Sequence, residues 1–158
     1  MQLFPDYTYC IDTSALIELK MKYPRATFTT LWENIEKLVE QGRIIAPRAV
    51  FDELGQYEDK NDVLFKWAKR YKKMFKDRDA VQLEEVHKIL NDYPGLVDAD
   101  RQTEDADPFI IALAKTEGCS VITQESQVKV NRIPYVCKKY KIKCISLVEF
   151  FAEQKWKF

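Results

Sequence analysis

Residues 103–125 read TEDADPFIIALAKTEGCSVITQE. An acidic loop runs straight into an apolar segment, then a β-branched one, and the unit ends on another acid. Pro108 in a first-turn position and Gly118 after the last periodic residue mark a helix over 108–118. CSVITQE (119–125) then reads as a buried strand. Helix capping and a polar loop explain carboxylates at both ends of such a unit. A functional site explains them too.

Working outward, the same alternation recurs. YTYCID (7–12) reads as a strand, followed at once by a helix in TSALIELKMKY with Asp12 or Thr13 available as its N-cap. RATFTTLWENIEKLVEQG carries Phe28, Leu31, Ile35, Leu38 and Val39 at helical spacing, with Gly42 as a natural C′ residue. RIIAP (43–47) is a second strand leading into the helix of RAVFDELGQYE. Two helices are expected next. One covers 63–76 with a stripe of Leu64, Trp67, Ala68, Tyr71 and Phe75; the other covers 80–91 with Val81, Val86, Ile89 and Leu90. After the loop YPGLVDADRQTEDAD come the opening helix and strand, a short helix in PYVCKKYKI, a fourth strand in KCISL, and a closing amphipathic helix. Strands alternating with helices predict a three-layer α/β/α domain spanning 1–158. Its central parallel sheet has four to five strands, with the first strand central.

The totals narrow the classes. The 158 residues suffice for one domain with a sizeable core, and 46 % hydrophobic residues argue against disorder. Formal net charge is zero, with 25 basic and 25 acidic residues, so no overall field steers the chain toward nucleic acid. Cys10, Cys119, Cys137 and Cys144 show no C-x-x-C pairing and read as buried thiols of a cytoplasmic protein. Zinc is disfavoured because the sole histidine, His87, lies far from all of them in sequence. The N-terminus lacks a signal pattern, and no run approaches the ~20 apolar residues of a membrane helix.

In an open parallel sheet, ligands gather beyond the carboxyl ends of the strands. Asp12 ends the first strand and Glu125 follows the third. Glu53 lies in the helix after the second strand beside Val50 and Leu54, and Asp107 opens the helix that feeds the third. Taken singly, Asp12 and Asp107 are as well explained by capping, and Glu53 and Glu125 by surface exposure. Together they form an acidic group at one end of the sheet. Clustered carboxylates repel, and a hard divalent cation, Mg²⁺ or Mn²⁺, resolves the conflict. Such centres commonly cleave phosphodiesters.

YCIDTSALIELK, IIAPRAVFDELG, ADPFIIALAKTEG and SVITQE, in that order, resemble the PIN-domain ribonuclease superfamily over nearly the whole chain. The likeness is nearest to a VapC-toxin-like branch known largely as a domain of unknown function. The resemblance implies a PIN-like sheet and metal-dependent hydrolysis of RNA leaving a 5′-phosphate and a 3′-hydroxyl. It also implies an antitoxin partner and, in many relatives, a homodimer. It assigns metal ligation to Asp12, Glu53, Asp107 and Glu125, and orientation of carboxylates or water to Ser14 and Thr123. Glu125 departs from the more usual Asp or Asn, which leaves ligation through water open, and Asp105 is a nearby competitor. RNA phosphates need flanking cations, for which Lys129 and Arg132 of KVNR are best placed. Two basic runs stand out: KWAKRYKKMFKDR with Lys66, Lys69, Arg70, Lys73 and Lys76, and the segment after Gln127 with eight basic residues against two acids. A solvated helix face explains either run equally well. A haloacid-dehalogenase-like phosphatase is excluded by Ser14 where a second acid is needed, and a response receiver by the missing acceptor. The alternative is a PIN-like binding module without catalysis.

Overall fold

The computed structural model describes residues 8–57, 62–96 and 106–158. Tyr7, most of the loop ahead of Asp107, and Asp105 lie outside the described residues. At the centre is a five-stranded, all-parallel sheet. Its strands are β1 (Tyr9–Ile11), β2 (Ile44–Pro47), β3 (Phe75–Lys76), β4 (Ser120–Ile122) and β5 (Cys144–Ile145), in the order β3-β2-β1-β4-β5. β1 is central, paired with β2 on one side (Tyr9 beside Ile44) and β4 on the other (Tyr9 beside Ser120). β1 and β2 are buried at every position, as a strand covered on both faces must be.

The helices among the described residues are α1 (Thr13–Lys22), α2 (Thr29–Glu40), α3 (Arg48–Tyr57), α4 (Val63–Arg70), α5 (Ala80–Asp92), α6 (Asp107–Glu117), α7 (Ile133–Lys139) and α8 (Leu147–Glu153). None is long and apolar enough to cross a membrane. Each parallel crossover returns a helix to the opposite end of the sheet, so α1, α3, α6 and α7 all begin beside the strands' carboxyl ends. α6 is buried without a break from Pro108 to Ala114, and Cys10 Sγ lies 3.8 Å from the Ile110 carbonyl it faces. The helix stops because Gly118 takes φ +69°, a left-handed turn that costs a non-glycine residue about 1 kcal/mol or more. Cys10, Cys119 and Cys137 are buried and Cys144 half-buried, all as free thiols, and burial pushes the Cys10 thiol well up in pKa.

Two sequence expectations are corrected. The helix expected over 63–76 ends at Arg70. A 3₁₀ turn at Lys72–Met74 follows, and Phe75–Lys76 becomes the edge strand β3. Phe75 is buried as expected, but from a strand: it stacks near Phe51 (5.3 Å) while Lys76 faces solvent. In α5, Val81 is 59 % exposed and Gln82 is buried in its place, together with Val86 and Ile89. Asp79 caps this helix through the Gln82 N–H (2.7 Å), which fixes the phase of its first turn.

Neither amide atom of the Gln82 side chain meets a hydrogen-bond partner in the protein. A buried, unsatisfied amide costs about 1–3 kcal/mol. Gln82→Met, close in volume and apolar, is therefore expected to raise unfolding free energy by about 1 kcal/mol in urea titrations. An unchanged or lower midpoint with the same m-value would show that the amide is satisfied after all.

A candidate carboxylate site at the strand ends

Asp12 follows β1 directly and is buried, 3 % exposed. The Ala15 N–H donates to Oδ1 (2.9 Å), so Asp12 is the N-cap of α1. Capping accounts for one bond only. The Ser14 hydroxyl lies 2.8 and 3.0 Å from the two carboxylate oxygens, and the Thr123 hydroxyl donates to Oδ2 at 2.5 Å. Ser14 and Thr123 approach each other to 3.3 Å. Three predicted positions, Asp12, Ser14 and Thr123, thus meet in one hydrogen-bonded knot joining β1, α1 and the end of β4.

Glu53 is 7 % exposed on α3 and is tied to the first residue of α1. The Thr13 hydroxyl donates to its Oε2 at 2.7 Å, so the residue beside Asp12 holds Glu53. Sequence reasoning treated Thr13 only as a possible cap. The one available signal was its place between two other site positions in Asp-Thr-Ser. Glu53 also lines a cavity of about 400 Å³ with Phe51, Phe65 and Arg78. Arg78 in turn lies over the Phe109 ring (4.7 Å), in the first turn of α6. Nothing in KDRD had singled out Arg78.

Asp107 is the first residue of α6 and half-buried; the N-cap is Ala106, with no side-chain capping bond. Asp107 is therefore not the N-cap residue, and its place in the first turn puts its charge at the positive end of the helix. Glu125 is half-buried and does two things. Its N–H donates to Thr123 Oγ1 (3.1 Å), and its Oε2 accepts from the Ile133 N–H (2.9 Å), holding the first turn of α7. Lys129 and Arg132 lie exposed in the loop that this contact closes, and neither forms a salt bridge among the described residues. Gln124 braces the same strand end, accepting from the Leu147 N–H at 2.9 Å.

Oxygen donors alone make up this set. Among the described residues no group of three or more His, Cys, Asp and Glu side chains gathers as a metal-binding cluster. Asp12 itself touches no cation: its partners are two hydroxyls and a backbone N–H. Burial raises its pKa from 3.8 to about 7, against the lowering effect of the Thr123, Ala15 and Ser14 bonds, and the Glu125 charge adds to the rise. A buried anion lacking a counter-charge, with a second carboxylate near enough to be felt, is an arrangement that a hard cation would relieve. The donor chemistry fits Mg²⁺ or Mn²⁺.

The pH consequence has a definite sign. Between about pH 4 and pH 7 the native state keeps a proton on Asp12 that the unfolded chain gives up, so this group lowers stability as pH rises through that window. In EDTA, the thermal midpoint of Asp12→Asn relative to wild type is expected to climb from pH 4.5 to pH 8. Parallel curves across the range would show that the carboxylate titrates normally.

The comparisons with known proteins agree with the geometry at the level of fold. The chain is similar to the crystal structure of VapBC2 from Rickettsia felis bound to a DNA fragment from their promoter, with a TM-score of 0.55 and 15 % identity. That match covers 88 % of this chain and 98 % of the other. PAE2754 from Pyrobaculum aerophilum is similar with a TM-score of 0.52 and 13 % identity over 94 % of this chain and 95 % of the other. The three-layer α/β/α architecture around a parallel sheet, expected from the sequence, is thus the observed one, and these two structures share its fold. No curated protein sequence matches. Residues 9–158 match the family described as Domain of unknown function (DUF4411), and the chain belongs to that family.

Proposed function

We propose that the protein is a metal-dependent endoribonuclease of the cytoplasm that hydrolyses RNA phosphodiesters, and that it is the toxin of a type II toxin–antitoxin pair. The observation that carries this reading is the Asp12 carboxylate, buried without a cation at the centre of the strand ends and tied to Ser14 and Thr123. The Rickettsia felis neighbour is a VapBC2 assembly, which supports an antitoxin as partner. A homodimer is compatible with the same reading.

Asp12, with Glu53, Asp107 and Glu125, would hold the cation. When bound, Mg²⁺ or Mn²⁺ lowers the pKa of water and offsets charge on the phosphate. The chain's own residues supply position. Ser14 and Thr123 fix both oxygens of Asp12, and Thr13 fixes one oxygen of Glu53. Attack of water on phosphorus breaks the bond to the 3′-oxygen, which leaves with a proton and gives a 5′-phosphate and a 3′-hydroxyl. Glu125, by holding Ile133, fixes the loop that carries Lys129 and Arg132. These two cations serve the phosphate backbone in this reading.

One observation favours a second reading, a PIN-like binding module without catalysis: no three acids gather as a cluster among the described residues. Calorimetry separates the two, since the nuclease binds Mg²⁺ or Mn²⁺ and the module does not. Growth arrest on overexpression, relieved by co-expression of a neighbouring reading frame, tests the toxin assignment. Its absence in a monomeric protein would leave only the nuclease.

Asp12→Asn keeps the capping oxygen and removes the charge. As a mere N-cap the change is nearly neutral, since Asn and Asp rank alike there. Under the nuclease reading, cleavage of a structured RNA in Mg²⁺ is expected to fall by about a hundredfold or more, on the scale of losing one preorganised electrostatic group. Asp107→Asn should do the same, and EDTA should abolish cleavage by the wild type. Full activity in both variants with intact Mg²⁺ dependence would show these acids to be structural.

A further inference from the structure

The ridge running from the end of α4 through the 3₁₀ turn to β3 carries Lys66, Lys69, Arg70, Lys72, Lys73 and Lys76, with no acid anywhere between Val63 and Lys76. All six are exposed, and among the described residues none of them forms a salt bridge. Elsewhere the cations are commonly paired, as in Lys20–Asp62, Lys22–Glu18, Arg25–Glu36, Arg48–Asp77, Lys115–Glu85 and Lys143–Glu153. Lys69 rests over Phe65 (4.7 Å) and Lys72 over Phe51 (5.6 Å), contacts that hold the side chains but leave their charges uncompensated.

Shape adds a second, independent observation. Arg70, Lys72, Lys73 and Lys76 line a concavity of about 560 Å³ with Tyr71 at its wall, and Glu40 is the one acid lining it. A merely solvated helix face has no reason to be concave. Lysines do blunt exposed sheet edges against pairing with other chains. That accounts for Lys76 on the edge strand, and β3 is only two residues long. It does not account for Arg70, Lys72 and Lys73, which precede the strand.

The ridge also has a direction. Its cavity opens beside Gly42 and Ile44, at the start of β2, and Lys76 lies in register with Pro47 at the carboxyl end. Past Lys76 the chain reaches Arg78, which shares a cavity with Glu53. We infer that this edge is a binding track for the phosphodiester backbone of RNA, leading a strand along β3 toward the carboxylate site. The inference rests on the RNA-directed reading above and places the main backbone contact on a different face from Lys129 and Arg132.

The test is anisotropy of a fluorescein-labelled RNA hairpin with a single-stranded tail, titrated with the full chain in EDTA at several KCl concentrations. Lys72→Gln/Lys73→Gln/Lys76→Gln is expected to weaken binding by about tenfold or more. Its log–log salt slope should fall by about two, as each lost phosphate contact removes ~0.7–0.9. The same charge change at Lys138, Lys139 and Lys157 should matter far less. Equal losses in the two triple variants, or none in the first, would overturn the track. So would displacement of the RNA by poly-glutamate as readily as by unlabelled RNA, which would mark a site for an acidic protein. Should the triple variant melt early, Lys73→Glu alone is read by the same criteria. Cleavage in Mg²⁺ is followed in parallel. A wild type that cleaves while the first variant binds normally removes only the track. A wild type that never cleaves, yet loses RNA binding in that variant, removes only the nuclease reading.

Discussion

One carboxylate, buried at the end of the central strand, constrains everything around it. Taking Asp12 out of water is costly, and the cost is bearable only while every lone-pair direction finds a donor. Those donors come from three places: the α1 backbone at Ala15, the first turn of α1 at Ser14, and the far end of β4 at Thr123. The two hydroxyls are themselves acceptors, from the Gln124 and Glu125 N–H groups. The knot therefore fixes where β1 stops, how α1 leaves the sheet, and how the chain turns after β4. It sits where β1 has β2 on one flank and β4 on the other, with connections running to opposite sides, the place where parallel sheets open a crevice.

The unit from Asp107 to Glu125 answers the question its sequence raises. Its middle is apolar because α6 is enclosed by the sheet, α5 and α7 together, with Ile110 to Ala112 wholly out of solvent. Neither acid at its ends belongs to that packing. Asp107 is the first residue of its helix and not the N-cap, and Glu125 holds a different helix, α7, eight residues further on. A rigid, fully packed arm has its two polar ends at the carboxyl end of the sheet. Such an arm cannot yield without opening the core, so the positions of its ends are set by the same contacts that set the fold.

Much of this was legible in the residues, for reasons that also explain the failures. The central strands declared themselves because burial on both faces demands unbroken apolar runs, and YCI and IIAP supply them. β3 did not, because Trp67, Tyr71 and Phe75 keep helical spacing across a helix that has already ended. The spacing is that of one helix stripe, yet Trp67 packs on Tyr71 at the end of α4 while Phe75 packs separately, from a strand, on Phe51 of α3. Val81 and Gln82 were exchanged because the cap at Asp79 sets the helical phase, and hydrophobicity alone does not. Asp12 was legible from its place at a strand end, and Ser14 and Thr123 through the family resemblance. Thr13's grip on Glu53 and Glu125's on Ile133 depend on side-chain reach across the strand ends, to which spacing in sequence is blind.

Net charge zero conceals a division of labour. On much of the surface, acids and bases cancel in pairs: Lys20 with Asp62, Arg25 with the buried Glu36, Lys115 with Glu85. Such pairs contribute little to stability when exposed, but they keep the local field weak. What remains uncancelled is sorted by sign. Asp12 lies buried at the strand ends with hydroxyls for company, while Arg70, Lys72, Lys73 and Lys76 stand exposed around a hollow beside β3 whose one acid is Glu40. At physiological ionic strength charges are screened over about 8 Å, so these regions act as separate local fields and do not neutralise each other. A polyanion approaching this molecule meets attraction along the edge and repulsion at the carboxylates. A cation held by the acids reverses the second effect. Local composition, invisible in the total of 25 against 25, is what gives the surface its polarity.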